Sequence, residues 1–486
     1  MAHYIISIDQ STAATKAILF NERCERVHRV DLPHKQIHPK PDWVEHDPEE
    51  IFQNVLSVIR TTLSETQISA DEVAALSITN QRETTLLWDA DGHPVANAIV
   101  WQCSRAKGIV DLPEVLSQKE YIESVTGLTL SPYFSAAKAR WICDHSNLTK
   151  NVLFGTIDSW LIFKLTGKHV TDFSNASRTQ LFNIHTLEWD DELLRIFGLE
   201  KVSMPQVLPS DDVFGYTTAG VIFPKPIPII GVMGDSQAAL YGQGCNEAGT
   251  GKVTFGTGSS VMLNIGELPK QSKSGLATSI AWKLKEKVVY VFEGNINCSG
   301  DTIRWLVDEL GILPSAKLSA EYAQKVVSSD GVYIVPAFLG LGAPYWESDA
   351  RAMISGLFRS ANKYHIVRAA VESMAYQVKD ILEVMIKESD IFLREINADG
   401  GPSRDTFLMQ FLADILGTDV VCKEVEELSA LGVASIALEK LGMQPKVKSF
   451  QTGLIDTKRY KRAMREEDAA LLYNGWRSAV KQLLQK

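Results

Sequence analysis

Ile8-Asp9-Gln10-Ser11-Thr12-Ala13-Ala14-Thr15-Lys16 and, about half a chain later, Thr254-Phe255-Gly256-Thr257-Gly258-Ser259-Ser260 are two short polar loops. Each lies between apolar β-like runs: Tyr4 to Ile8 and Ala17 to Phe20 around the first, Val253 to Phe255 and Val261 to Ile265 around the second. Strand, tight turn, strand presents backbone N–H groups and hydroxyls to an anion. One such hairpin in each half predicts a phosphate held between two lobes, and so a nucleotide site built without a P-loop. The nearest approach to a P-loop, Gly249-Thr250-Gly251-Lys252-Val253, has Asn246 where the first glycine belongs and Val253 in place of Ser or Thr after Lys252, which rejects it.

The chain has 486 residues, 45% hydrophobic and 22% charged, enough for two buried cores. Its net charge of −10 argues against nucleic acid or an anionic membrane as partner, so an anionic ligand must be held by local donors. Cys24, Cys103, Cys143, Cys245, Cys298 and Cys422 form no CxxC pair, which reads as free thiols in a reducing compartment. No leader-like segment and no run of about 18 apolar residues stands out, so a cytoplasmic chain without a membrane span is expected.

Beyond the first hairpin, Asp47-Pro48-Glu49-Glu50 reads as an N-cap, an N1 proline and a capping-box glutamate, opening a helix to about Leu63. Val73 to Thr79 and Thr84 to Trp88 read as strands interrupted by Asn80-Gln81-Arg82-Glu83. Pro226 to Val232 is a buried strand aimed at Gly234-Asp235-Ser236-Gln237, where a helix begins. After a hinge near 240–250 the pattern restarts: strands Leu276 to Trp282 and Val288 to Phe292, then helices Asp301 to Leu310, Tyr364 to Lys387, Arg404 to Leu416 and Ser429 to Leu441. Hairpins followed by helices, twice, predict two similar α/β lobes. The charged stretch Lys458 to Asp468 reads as a solvated helix face.

Several residues carry chemistry, each with a plainer alternative. Asp9 at a strand end beside a phosphate loop suits water-mediated Mg²⁺, or caps a turn. Lys16 neutralises phosphate or is an exposed strand lysine. Asp235 closes a buried strand at its C-terminal edge, the place for a base that accepts a hydroxyl proton, or else N-caps a helix. Arg82 and Glu83 bind neighbouring hydroxyls, or form a surface ion pair at a bulge. Gly400-Gly401 lets a planar ligand approach, or turns a tight corner. The histidines show no ligand spacing, and His145 and His365 read as structural.

The order of motifs resembles the FGGY-type carbohydrate kinases and, within them, the glycerol kinases. Asp9-Gln10, Asp42-Trp43-Val44-Glu45-His46-Asp47-Pro48, Asn80-Gln81-Arg82-Glu83-Thr84 and Val100-Trp101-Gln102-Cys103 carry the first part. Tyr133-Phe134-Ser135 with Lys138 and Trp141, then Thr171-Asp172 with Ser174 to Thr179, continue it. Gly234-Asp235, Gly256-Thr257-Gly258, Gly342-Ala343-Pro344-Tyr345-Trp346, Asp399-Gly400-Gly401, and Ala352 through Gly356-Leu357 to His365 and Glu372 complete it.

The resemblance implies an α/β fold of two ribonuclease-H-like lobes of the actin and hexokinase ATPase type with a central cleft. Residues 1–243 would form the lobe with the polyol site and catalytic base, and residues 244–486 the nucleotide lobe. It implies MgATP, a small polyol or sugar acceptor, and a homodimer or homotetramer. Asp235 would be the general base, and Asp9 and Asp235 would meet the metal through water. Thr12, Ala13, Ala14, Lys16, Thr257, Gly258, Gly300, Arg304, Gly401 and Asp405 fall on the nucleotide side. Arg82, Glu83, Trp101, Tyr133, Asp235, Ser236 and Ser260 fall on the acceptor side.

The chain departs from the family pattern at chosen points. Ser11, Ala13 and Ala14 replace Gly, Thr and Ser, and Lys16 replaces Arg. Ser236 stands for Gln and Ser260 for Phe; both enlarge the acceptor pocket and point to a polyol or ketose longer than glycerol, of four carbons. Asp405 replaces Asn, Arg304 Gln, and Pro402 Ala, while the glycine-rich regulatory loop is missing around Ala219 to Pro228. The lost hydroxyls at Ala13 and Ala14 leave a competing expectation, a non-catalytic nucleotide-binding scaffold. An Hsp70-type ATPase is disfavoured because no substrate-binding region follows the second lobe.

Overall fold

The computed structural model describes residues 3–148, 152–423, 425–443 and 457–485. The first hairpin pairs strands Tyr4–Gln10 and Ala14–Asn21, with Asp9 opposite Lys16, and Arg26–Pro33 extends it antiparallel. Val73–Asn80 then joins Tyr4–Gln10 in parallel, and Pro228–Gly234 joins Val73–Asn80 in parallel. The second hairpin repeats the scheme. Thr250–Phe255, Ser259–Gly266 and Lys287–Ile296 run antiparallel, and Glu395–Gly400 and Asp419–Lys423 add in parallel. Two sheets, each an antiparallel meander continued by two parallel strands, bear out the two-lobed ribonuclease-H-like expectation.

The helix at Asp47 starts as read and runs Pro48–Thr66, with the Asp47 carboxylate accepting from the N–H groups of Glu49 and Glu50. The reciprocal half of a capping box is absent, because Glu50 Oε1 accepts instead from Lys35 N at 3.2 Å. The helix expected from Arg404 begins at Thr406, after a 3₁₀ turn over Gly401–Arg404. Lys458 to Asp468 is not one helix face. Thr457–Tyr460 is an edge strand beside Asp419–Lys423, and only from Glu466 does the chain turn helical. Edge pairing there satisfies backbone groups that a helix would have had to satisfy internally.

The helix Leu428–Lys440 crosses back to the first lobe. It packs on the helix Asp235–Gly242 and shares a buried cluster with Ile5, Ile18, Ala75 and Ile230 of the first sheet. Gly242 and Gly432 make the crossing, since a Cβ on either would strike the backbone of the other helix. The Ser429 hydroxyl donates to the Asp235 carbonyl at 2.9 Å, so this helix also fixes the start of the one that carries Asp235.

Candidate functional site

Both hairpin turns use one device. In the first, every carbonyl from Ser11 to Ala14 is tied back: to Gln10 Nε2 (2.9 Å), Gln36 Nε2 (2.8 Å), His34 N (3.4 Å) and Ser11 N (2.9 Å). In the second, Ser299 N and Asp301 N donate to the Thr257 carbonyl, and Gly300 N to that of Gly256. The N–H groups of Thr12 and Ala13, and of Thr257 and Gly258, have no partner among the described residues. With their carbonyls drawn away, these turns offer donors only, which is what an anion requires. Ala13 and Ala14 therefore cost hydroxyls but not the backbone grip.

Between the hairpins lies a cavity of about 1080 Å³. Asp9, Lys16, Asp235 and Ser236 line it from the first lobe, and Lys252, Thr254, Asp399, Gly401 and Arg404 from the second. Asp9 does not cap its turn; Ser11 does, through Ala14. Its Oδ2 accepts from Lys16 Nζ at 2.9 Å, and Oδ1 has no hydrogen bond among the described residues. Burial pushes the Asp9 carboxyl up to about 6, with Lys16 opposing. Lys16 also reaches Glu427 at 3.1 Å, so the lysine is held between two carboxylates.

Asp235 lies in the first turn of its helix and caps nothing beyond its neighbour Ser236 N, at 2.6 Å; Gly234 is the N-cap. Its Oδ1 also takes Arg82 Nε at 3.3 Å and the Ser236 hydroxyl at 3.3 Å, while Oδ2 has no hydrogen bond among the described residues. The side chain is 37% exposed, into the cleft. The surrounding protein still desolvates it and raises its pKa, against the pull of Arg82. A carboxylate of raised pKa with one open oxygen is suited to accept a proton.

Arg82 and Glu83 are no surface pair. Both are buried, and each pairs with another partner. Arg82 forks onto Glu293 at 2.9 and 3.0 Å, across from the second lobe. Glu83 Oε1 accepts from Arg178 Nε at 2.6 Å, and Arg178 also reaches Glu293 at 3.1 Å. Burial alone would raise the Glu293 carboxyl; Arg82 and Arg178 hold it well below the usual carboxylate range. Ser260 Oγ lies 3.4 Å from Glu293 Oε1. Trp101 packs edge-on to Tyr133 at 5.7 Å, and its indole N–H donates to the Thr12 hydroxyl at 3.0 Å, joining two residues expected on the acceptor side to the first hairpin turn.

Two candidates stand apart. Asp405 N-caps the helix Thr406–Leu416 through Leu408 N, and its second oxygen takes the Ser319 hydroxyl at 2.8 Å. Arg304 is 64% exposed and only 4.0 Å from Asp301. Neither lines the cavity, nor does Gly300, whose N–H is spent on Gly256; Thr12, Ala13, Ala14, Thr257 and Gly258 of the turns, and Arg82, Glu83, Trp101, Tyr133 and Ser260, also lie outside its lining. Glu293 and Glu427 are not singled out by the sequence, and Lys252 and Thr254 figure there only within the rejected P-loop and the second hairpin. The signal for Glu293 was a lone carboxylate ending an apolar strand. Asp89, Asp91 and His93 bring ligand atoms within 4.8 Å on an exposed turn, where Asp89 caps the backbone of the other two.

Residues 4–242 match the N-terminal domain, and residues 251–439 the C-terminal domain, of the FGGY family of carbohydrate kinases. The chain belongs to that family. "Glycerol kinase 1" of Thermotoga maritima is 50% identical over 99% of both chains, and the glycerol kinase of Bacillus subtilis 46% identical over 99% of both. The crystal structure of Plasmodium falciparum glycerol kinase with ADP superposes with a TM-score of 0.92 at 33% identity, covering 99% of this chain and 98% of that one. Ligand-bound xylulose kinase from Lactobacillus acidophilus, 24% identical with a TM-score of 0.87, shares the fold. In this FGGY kinase no helix among the described residues is long and apolar enough to cross a membrane.

Proposed function

We propose that this FGGY kinase transfers the terminal phosphoryl group of ATP to a terminal hydroxyl of glycerol or a related small polyol. The observation that carries the reading is Asp235: a carboxylate of raised pKa at the strand's C-terminal edge, facing a cavity lined by both lobes, with Arg82 alongside. The glycerol kinases named above support the acceptor class.

The free N–H groups of Thr12, Ala13, Thr257 and Gly258 would hold phosphate oxygens, and Lys16 would leave Asp9 and Glu427 for the phosphates. Asp9 and Asp235 fit a magnesium ion reached through water, being hard oxygen donors that each keep one oxygen free. Magnesium would supply charge neutralisation of the phosphates. Asp235 would take the acceptor proton, and the second lobe would add nucleotide contacts at Gly401 and Arg404. Arg82 directs three of its five N–H groups to Gln237 and Glu293 and lies against Asp235 through Nε at 3.3 Å, leaving one N–H on Nη2 for an acceptor hydroxyl. Glu83 and Tyr133 would meet the other hydroxyls, with Trp101 covering carbon.

Ser260 and Asn295 are register partners on the face of the second sheet that carries Glu293, and they would give the acceptor site a polar wall. That wall favours a four-carbon polyol or ketose. The scaffold reading gains nothing, since the donors and carboxylates of both hairpins are in place. Self-association to a homodimer or homotetramer is part of the proposal, supported by exposed Leu339, Trp346 and Leu357 on the second lobe.

ATP consumption across a panel of three- to five-carbon polyols tests the function, with Asp235→Asn as the control. The expected result is polyol-dependent turnover that falls by about 10²–10⁴-fold in the variant while ATP still binds. Consumption independent of any polyol, or an unimpaired variant, contradicts the reading.

A further inference from the structure

Lys138 is fully buried. It sits in the first turn of the helix Ser135–His145, where the helix dipole disfavours a cation. No carboxylate lies within ion-pair distance of it among the described residues; its nearest charged influences are Glu83 and the thiol of Cys103. An ammonium without a counter-ion is among the costlier groups to bury. A leucine or methionine would fill the space without that cost.

What the ammonium does is specific. Its three N–H groups go to three backbone carbonyls: Glu83 at 3.2 Å, Phe134 at 3.5 Å and, closest, Tyr133. Glu83 and Tyr133 are separated by a long excursion of the chain, and both are acceptor-side residues. Glu83 stands at φ 61°, a strained conformation for a side chain of this size. Its carbonyl takes two further donors, the Thr85 hydroxyl at 2.9 Å and the Ser135 hydroxyl at 3.3 Å. The strain is thus over-determined, with Lys138 the one donor that also grips Tyr133. On the open side, Glu83 keeps Oε2 uncommitted and the Tyr133 hydroxyl has no hydrogen bond among the described residues.

We propose that Lys138 is a positioning residue for the acceptor: by clamping the Glu83 and Tyr133 carbonyls together, it sets the spacing of the two groups that read the acceptor's hydroxyls. The inference rests on the proposed function, because it takes Glu83 and Tyr133 as acceptor contacts. The clamp needs the charged form. A neutral amine has two N–H groups and turns a lone pair toward a carbonyl. Burial brings the Lys138 ammonium down to about 7, with Glu83 and Cys103 pulling the other way, so the third bond is lost as pH rises through that value. The groups facing it are the Glu83 carboxylate, the Cys103 thiol and the Tyr133 ring, whose centroid is 5.8 Å from Nζ.

The test is steady-state kinetics of full-length Lys138→Met with glycerol and MgATP, followed with pH. The KM for glycerol is expected to rise about tenfold with the KM for MgATP unchanged, one lost charged hydrogen bond being worth about that much. In the wild type the glycerol KM is expected to climb as pH passes about 7, and in Lys138→Met to stay flat. An unchanged glycerol KM, or equal rises in both KM values, overturns the inference. Should the variant not fold, the wild-type profile decides: a rise confined to the glycerol KM supports the clamp and a flat profile overturns it. A wild type that phosphorylates no polyol at all refutes the proposed function instead, a separate outcome.

Discussion

At the proposed acceptor end of the cleft Arg82, Glu83, Arg178 and Glu293 pair at 2.6–3.1 Å and are shut away from water. At the nucleotide end Lys16 is shared between Asp9 and Glu427 at 2.9 and 3.1 Å on the wall of an open cavity. Both ends use ion pairs that bridge distant parts of the chain, yet their energetics differ. Buried charges that satisfy one another hold a fixed geometry, and none can leave without stranding the others. The Lys16 ammonium keeps 20% of its side chain open to the cavity while its two carboxylates are nearly buried, so incoming phosphates have access to the lysine and can compete for it. On the proposed function the acceptor end is assembled in advance, and the nucleotide end would rearrange around its ligand.

Removing one carboxylate at each end separates the two. Glu293→Ala removes the carboxylate shared by two buried guanidinium groups, leaving Arg82 only the Asp235 carboxylate at 3.3 Å and Arg178 only that of Glu83, and is expected to lower the unfolding free energy by about 3–5 kcal/mol in denaturant titrations. Glu427 also pairs with Arg29 at 2.6 Å, but Glu427→Ala leaves Lys16 paired with Asp9 and the part-exposed Arg29 paired with Asp31, and is expected to cost about 1 kcal/mol or less. Equal losses would break the comparison.

A smaller effect concerns pH. Burial raises the Asp9 carboxyl to about 6 despite Lys16. Between its ordinary value and about 6 the folded protein keeps a proton that the unfolded chain has lost. Asp9 therefore makes the nucleotide-free protein less stable as pH rises through that window. A protonated carboxyl cannot serve a magnesium ion, so the KM for MgATP is expected to rise as pH falls through about 6, by about tenfold for each unit below it, with the glycerol KM steady. A parallel rise in both would mean that the two ends are not independent.

Local patterns made much of this legible. The hairpins, the strand ending at Asp9, the strand feeding Asp235 and the Asp47 cap are all set by residues a few positions apart, and alternation and capping chemistry record them. The partners of Arg82 were not legible, because Glu293 lies 211 residues away and reads only as a charge at a strand end. Asp405 shows the opposite case: an Asp before a helix also suits an N-cap, one oxygen is spent on Leu408 N and the other on the Ser319 hydroxyl, and neither use is distinguishable from a ligand contact in the sequence. The return of Leu428–Lys440 to the first lobe depends on Gly242 and Gly432 meeting, a coincidence of three dimensions that leaves no local trace. The tied-back carbonyls of the first turn likewise depend on Gln36 and His34, which no turn motif contains.

Acceptor binding without nucleotide tests the contrast most directly. Glycerol titrated calorimetrically into the nucleotide-free protein should bind saturably, with a Kd within about threefold of that measured beside a non-hydrolysable ATP analogue, because its pocket is already formed. Glycerol binding that appears only once the nucleotide analogue is present would contradict the account.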